Sequence, residues 1–214
     1  MSEIKKIIVF TGPSISMEEA SDILKADYRP PIKRGDIIYA LNSNPDVIVI
    51  IDGVFHQEPA VSHREILEAI KRGVKVVGAS SMGALRASEL DDMGMIGIGY
   101  VYQQYKSGSV ESDDDVAVIL NPETYQQLSD SLISINYNLK KAHDHGILSE
   151  SELLIMLDVS KSIYYPKRSY EKIFKESNLN EKIIDSLKKF ISEHGCDVKR
   201  NDAIEVLNYV KTNF

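Results

Sequence analysis

Two adjacent serines, Ser80 and Ser81, stand in the stretch GASSMGALRASEL (78–90), where a β-branched run gives way to a helix-forming one. Ala79-Ser80-Ser81-Met82-Gly83 reads as small-x-Ser-x-Gly. That is the form of a nucleophile elbow, in which small residues flank a serine on a crowded strand–helix turn. On this reading Ser81 is the nucleophile, and the amides of Met82 and Gly83 stabilise an oxyanion. Two other readings stay open. The serines cap the helix while Gly83 permits close packing, or the helix N-terminus binds an anion. A serine nucleophile needs a base, and His63, opening a predicted helix, is better placed than His56 in the middle of a loop. Either histidine is equally compatible with a structural or surface role. Asp52 directly follows an apolar run and could orient a base, bind a cation or cap a turn. Ser14, in TGPS, and Arg86, one turn into the helix, are candidate anion ligands.

Other polar clusters carry less. Asp113-Asp114-Asp115 could bind a metal, but a triple acid before VAVIL also reads as a solvated helix start. His143 and His145 precede Gly146, as expected at a helix C-terminus. No metal site is expected. TGPS is too short for a phosphate loop, neither G-x-x-x-x-G-K-[ST] nor G-x-G-x-x-G occurs, and Gly94, Gly97 and Gly99 read as backbone packing.

The elements that would position these groups follow from the apolar pattern. KIIVF (6–10) and VKVVGA (74–79) read as buried strands, and VIVIID (47–52), continuously apolar and β-branched, as one covered on both faces. Ser16 with Glu19 opens a helix over about 17–26. Ser62 with Glu65 opens a second, which Gly73 stops. Pro30-Pro31 forces an extended linker between them. This alternation predicts an α/β fold, an open, mostly parallel sheet flanked by helices, over residues 1–120. Ligands bind at the carboxyl ends of the strands of such a sheet. Topology therefore gathers Ser14, Asp52, His56, His63, Ser80, Ser81 and Arg86 on one edge.

Residues 121–214 change character to an all-helical part expected to pack on that core. Leu128, Leu132, Ile135 and Leu139 define one helix face over about 123–145. Ser149 with Glu152 opens another helix, and EKIIDSLKKFISEHG and AIEVLNYVK are two more.

The 214 residues carry a formal net charge of −7, which argues against broad electrostatic binding to nucleic acid or an anionic membrane. The single cysteine, Cys196, gives no disulfide framework and no cysteine-based metal site. No apolar run has the length of a signal peptide core or a membrane span, so a cytoplasmic protein is expected.

Seven segments together resemble the TfuA-like proteins: TGPS (11–14), PPIKRGDI (30–37), IDGVF (51–55), AVSHREIL (60–67), GASSMGALRASEL (78–90), GMIGIGYVY (94–102) and DDDVAV (113–118). The resemblance implies partnership with a YcaO enzyme, which uses ATP to activate a backbone amide and replace its oxygen. The product is a thioamide, in a ribosomal peptide or in methyl-coenzyme M reductase. The TfuA-like partner's implied role is post-translational sulfur transfer, recruiting or hydrolysing a thiocarboxylated ThiS-like carrier protein. No cofactor is expected on this chain, since ATP and Mg belong to YcaO. Carried over by position, Ser81, Met82, Gly83, Arg86 and Glu89 stand in the strongest motif, Asp52, Gly53, His63 and Glu65 in the second, and Gly12, Pro13 and Ser14 in the first. Ser62 stands where an aromatic residue is usual, Leu120 where a histidine often is, and Asn136 near an expected arginine. The implied enzyme has Ser81 attacking or orienting the thiocarboxylate, His63 as base and Arg86 attracting the carrier's terminal charge. The implied alternative is a non-catalytic adaptor that binds YcaO and carrier and promotes thioamidation allosterically.

Overall fold

The computed structural model describes residues 5–54, 58–110, 112–121 and 127–214. In chain order these form β1 (Ile7–Phe10), α1 (Met17–Ile23), β2 (Asp27–Arg29), α2 (Asp36–Leu41), β3 (Val47–Ile50), α3 (His63–Lys71), β4 (Lys75–Gly78), α4 (Met82–Leu90), β5 (Ile96–Gly97) and α5 (Tyr100–Lys106). The helices α6 (Leu132–Asp144), α7 (Glu150–Ser162), α8 (Tyr170–Glu176), α9 (Glu181–His194) and α10 (Val198–Asn213) follow. Two compact units result: Met1–Asp113 with Lys199–Phe214, and Asp114–Val198.

The first unit is built on a five-stranded sheet of order β2-β1-β3-β4-β5 with every pair parallel. Both faces of its central strands are covered. Ile8, Phe10, Ile48, Ile50 and Val76 enter one apolar cluster, and Ile7, Val9, Val47, Val49 and Val77 enter the other. That double burial is why these strands are unbroken β-branched runs rather than alternating ones. The chain steps from β1 outward to β2 and returns on the other side of β1 as β3. The switch point of this doubly wound sheet therefore lies between β1 and β3, where such sheets open a crevice at their carboxyl ends.

Local signals act as the sequence requires at two helix starts. Ser16 accepts the Glu19 amide, and Ser62 with Glu65 forms a complete capping box. Glu65 also accepts the Gly35 amide at 2.7 Å, fastening the start of α2 to the start of α3. The first predicted helix ends at Ile23 rather than near residue 26, because Asp27–Arg29 pair with β1 as a short edge strand. The Pro30-Pro31 segment continues as extended chain, and Ile32 bridges to Gly53.

The C-terminal helices do not stay together. Ala203, Val206, Leu207 and Val210 of α10 are fully buried in the cluster that contains Val9, Val49 and Val77, so the last helix belongs to the sheet unit. The first unit thus ends at Asp113 rather than at the expected residue 120 and takes in this last helix, whose amphipathic pattern does not say which apolar surface it covers.

The helical unit packs α6, α7, α8 and α9 around Ile135, Leu139, Met156, Ile173, Leu187 and Phe190. Leu128 is not on the predicted helix face: it is 62% exposed and precedes α6. Its amide donates to the Ile119 carbonyl beside a Leu120–Gln127 bridge, which holds the backbone extended until Ser131 starts the helix. Arg168 is buried, donating to the Ser160 and Ile163 carbonyls and, at 2.7 Å, to the Asp114 carboxylate. The Asp113–Asp115 segment is a short 3-10 turn held in this way.

Helix α4 lies against the sheet at contact distance because two of its meeting points have no side chain. A methyl at Gly83 would overlap the Ile50 carbonyl, and one at Gly78 would overlap the Gly83 carbonyl. Gly83→Val is expected to lower stability by about 3 kcal/mol, read as the shift of the urea midpoint at constant slope.

Candidate functional site

The carboxyl ends of β1, β3 and β4 meet through hydrogen bonds. Asp52, two residues beyond the end of β3, is 1% exposed. Its Oδ2 accepts the Gly12 amide at 2.9 Å and the Ser14 amide at 3.0 Å, and its Oδ1 accepts the Ser14 hydroxyl at 2.7 Å. Ser14 Oγ in turn accepts the Ser80 hydroxyl at 2.8 Å. Ser80, Ser14 and Asp52 thus form one chain of donors ending on a carboxylate, across the switch point. The hydrogen-bonding capacity of the Ser14 hydroxyl explains why a serine sits there: it donates one way and accepts the other.

Ser80 has φ +69°, a left-handed backbone that a non-glycine residue adopts only when its surroundings enforce it. The enforcing contacts are those around it. The amides of Ser81 and Gly83 both turn back to the Ile51 carbonyl, and the Ala84 amide reaches the Ala79 carbonyl. The turn is a strained strand–turn–helix, and its left-handed residue is Ser80 rather than Ser81. Ser81 is the N-cap residue of α4, yet its hydroxyl makes no capping bond, and among the described residues it has no hydrogen-bond partner. The Met82 amide, first in α4, likewise donates to no group among the described residues, while the Gly83 amide is engaged by Ile51. Of the two expected oxyanion donors, Met82 is the open one.

His63 and Arg86 form a second group. His63 Nε2 lies 2.7 Å from Glu89 Oε2, and Arg86 Nη1 donates to the same oxygen at 2.7 Å while its Nε donates to the Val61 carbonyl. His63 and Glu89 are half-exposed, and Arg86 is largely covered. No hydrogen bond among the described residues joins His63 to Ser80, Ser81 or Asp52. His56 lies outside the described residues.

Lys199 is the residue that sequence reasoning did not reach. It lies in the first turn of α10, is 1% exposed, and its positive charge acts on Asp52. A lysine at the start of a C-terminal helix carries no sequence signal that it ends beside an aspartate nearly 150 positions earlier. Burial pushes the Asp52 carboxyl above its usual range, against the opposing pull of Lys199 and of the Ser14 and Gly12 donors. Among the described residues no group of three or more His, Cys, Asp or Glu side chains is placed to hold a metal ion, and no helix is long and apolar enough to cross a membrane.

A doubly wound parallel sheet with a hydroxyl–carboxylate chain across its switch point and a strained strand–helix turn beside it defines an α/β protein. Residues 52–169, more than half of the chain, match the TfuA-like protein family, and the chain belongs to that family. Membership associates it with YcaO-dependent thioamidation. No curated protein matches it. The matched segment contains Asp52, His63, Ser80, Ser81, Met82, Gly83 and Arg86, whereas Ser14 and Lys199 lie outside it.

Asp52 sets a pH dependence whose sign is fixed by its burial. Its native carboxyl binds a proton more tightly than the unfolded one, so between the two values the native state holds more protons. Stability from this group is complete below the ordinary aspartate range and is lost as pH rises through the raised native value. In urea titrations at stepped pH, wild-type stability relative to Asp52→Asn is expected to decline across that window.

Proposed function

We propose that this chain supplies sulfur to a YcaO enzyme by binding a thiocarboxylated ThiS-like carrier protein and hydrolysing its terminal thiocarboxylate. The observation that carries the reading is the Ser80–Ser14–Asp52 chain beneath a left-handed turn at the start of α4. Ser80 Oγ attacks the carrier's terminal carbonyl carbon. Its proton passes to Ser14, whose own proton passes to Asp52. The C–S bond breaks as the ester forms, and sulfur leaves as hydrosulfide, taking the proton back from Asp52. Water then cleaves the ester, releasing the carrier carboxylate and restoring the serine hydroxyl. The Met82 amide, open among the described residues at the start of α4, donates to the oxyanion of both steps. The Glu89-linked pair of Arg86 and His63 offers cationic and hydrogen-bonding groups for the carrier's tail.

A second reading has its own support. Ser80 and Ser81 are 0% and 2% exposed. Serines so deeply covered suit a non-catalytic adaptor, in which the chain fixes the strand edge while the protein binds YcaO and carrier and promotes thioamidation allosterically.

Purified protein incubated with thiocarboxylated carrier, without YcaO or ATP, separates the two. Sulfide release is expected, and Ser80→Ala is expected to reduce it by a factor on the order of 10⁴ or more. Ser14→Ala is expected to cost roughly 10²–10⁴-fold through loss of the proton path. Ser81→Ala is expected to retain release. Release lost in Ser81→Ala but kept in Ser80→Ala assigns attack to Ser81. No release from the wild type, with thioamidation still dependent on its presence, supports the adaptor.

A further inference from the structure

A hydroxyl relay works only with a fixed polarity. Ser14 delivers a proton to Asp52 while taking one from Ser80 only as long as the carboxylate is the acceptor at the end of the chain. A protonated Asp52 would donate to Ser14, reverse both bonds and leave the Ser80 proton without a destination. The site therefore needs something that keeps a buried carboxylate charged, and three hydrogen bonds from Gly12 and Ser14 are opposed by complete desolvation.

The last helix supplies a charge at this place. Its apolar side is fixed on the sheet by Ala203, Val206, Leu207 and Val210. Its first turns reach the carboxyl edge, since Asp202 accepts the Tyr100 and Val101 amides, at 2.8 Å each, just beyond β5. Lys199 precedes Asp202 by three residues, which puts both on one side of α10. Lysine is almost never fully buried unless paired. Here Lys199, in the first turn of the docked helix, and Asp52 are each 1% exposed, and the lysine's charge acts on the carboxylate. The groups that act on Asp52 are the Gly12 and Ser14 amides, the Ser14 hydroxyl and Lys199.

We propose that Lys199 is the counter-charge of Asp52 and a positioning residue that fixes the direction of the Ser80–Ser14–Asp52 relay. The inference rests on the hydrolytic reading only for its consequence at Ser80; the pairing with Asp52 stands without it. The experiment accordingly has two readouts on the full chain. The first is the titration of the Asp52 carboxyl by carbon-13 NMR in wild type, Lys199→Met, Lys199→Gln and Lys199→Arg. The second is the pH profile of Ser80 labelling by a fluorophosphonate probe in the same proteins.

Removing the positive charge is expected to move the Asp52 titration upward by about 1–3 pH units, with Lys199→Arg staying near wild type. The labelling profile is expected to move with it. An Asp52 titration unchanged in both neutral variants overturns the proposal. A shifted titration in a protein whose Ser80 neither labels nor supports sulfide release overturns the hydrolytic reading and leaves the pairing standing. Should both neutral variants fail to fold, the wild type decides by nitrogen-15 NMR. The Lys199 ammonium is expected to sense the ionisation of Asp52 as an inflection at the same pH, and its absence overturns the proposal.

Discussion

One buried carboxylate organises the strand edge. Asp52 sits at the end of the central strand with almost no solvent, and an ionised carboxyl there is stable only if its oxygens are filled and its charge is balanced. The loop after β1 fills them, with two amides and a hydroxyl. That requirement explains the shape of TGPS: a glycine that brings its amide close, and a serine that gives both amide and side chain. A Cβ at Gly12 would also overlap the Pro31 ring, so the same glycine lets the extended Pro30-Pro31 segment pass close beside the loop. From Ser14 the network extends to Ser80 and so to the third strand end. Three loops with no sequence proximity are held in register by one acid.

The strained turn depends on that arrangement. A serine at φ +69° costs on the order of 1–3 kcal/mol, and its neighbours must supply it. Ile51, the residue before Asp52, accepts the Ser81 and Gly83 amides, and Ser14 accepts the Ser80 hydroxyl. The close fit of α4 is a separate demand, met by Gly78 and Gly83. These two demands meet within six residues, which is why GASSMG is so small-residue-rich. The strained backbone and the hydrogen-bond chain coincide at Ser80.

What could be read from the residues alone follows from how local each signal is. The continuous apolar runs of β1, β3 and β4 declare a two-faced sheet, and the Ser62–Glu65 and Ser149–Glu152 boxes declare helix starts, because each is written within a few positions. Convergence of Ser14, Asp52 and Ser80 was legible through topology. The short edge strands β2 and β5, of three and two residues, were not, since nothing in their composition separates them from linkers. The small-x-Ser-x-Gly pattern points to Ser81 through Gly83, whereas the left-handed residue of the turn is Ser80. A glycine two positions after a serine looks like the second glycine of an elbow, but this one is demanded by the Ile50 carbonyl. Lys199 was invisible because its partner is chosen by how α10 docks, which an amphipathic pattern does not encode.

The placement of α10 bears on what the family's shared segment can do by itself. The match runs from Asp52 to Ser169 and holds the acid, both serines and the α4 turn. It excludes β1, and with it the Gly12 and Ser14 donors, and it excludes Lys199. An Asp52 cut off from those groups would be a carboxylate beside an apolar strand end with neither donors nor counter-charge, a state that favours protonation or exposure over function. The same segment would also lose β2 and β3, the latter being the middle strand of the sheet. The matched residues therefore carry the reactive-looking side chains, while the residues before and after them create the environment in which those side chains have a defined charge and direction. The site is a property of the whole sheet unit, closed by the first strand and the last helix.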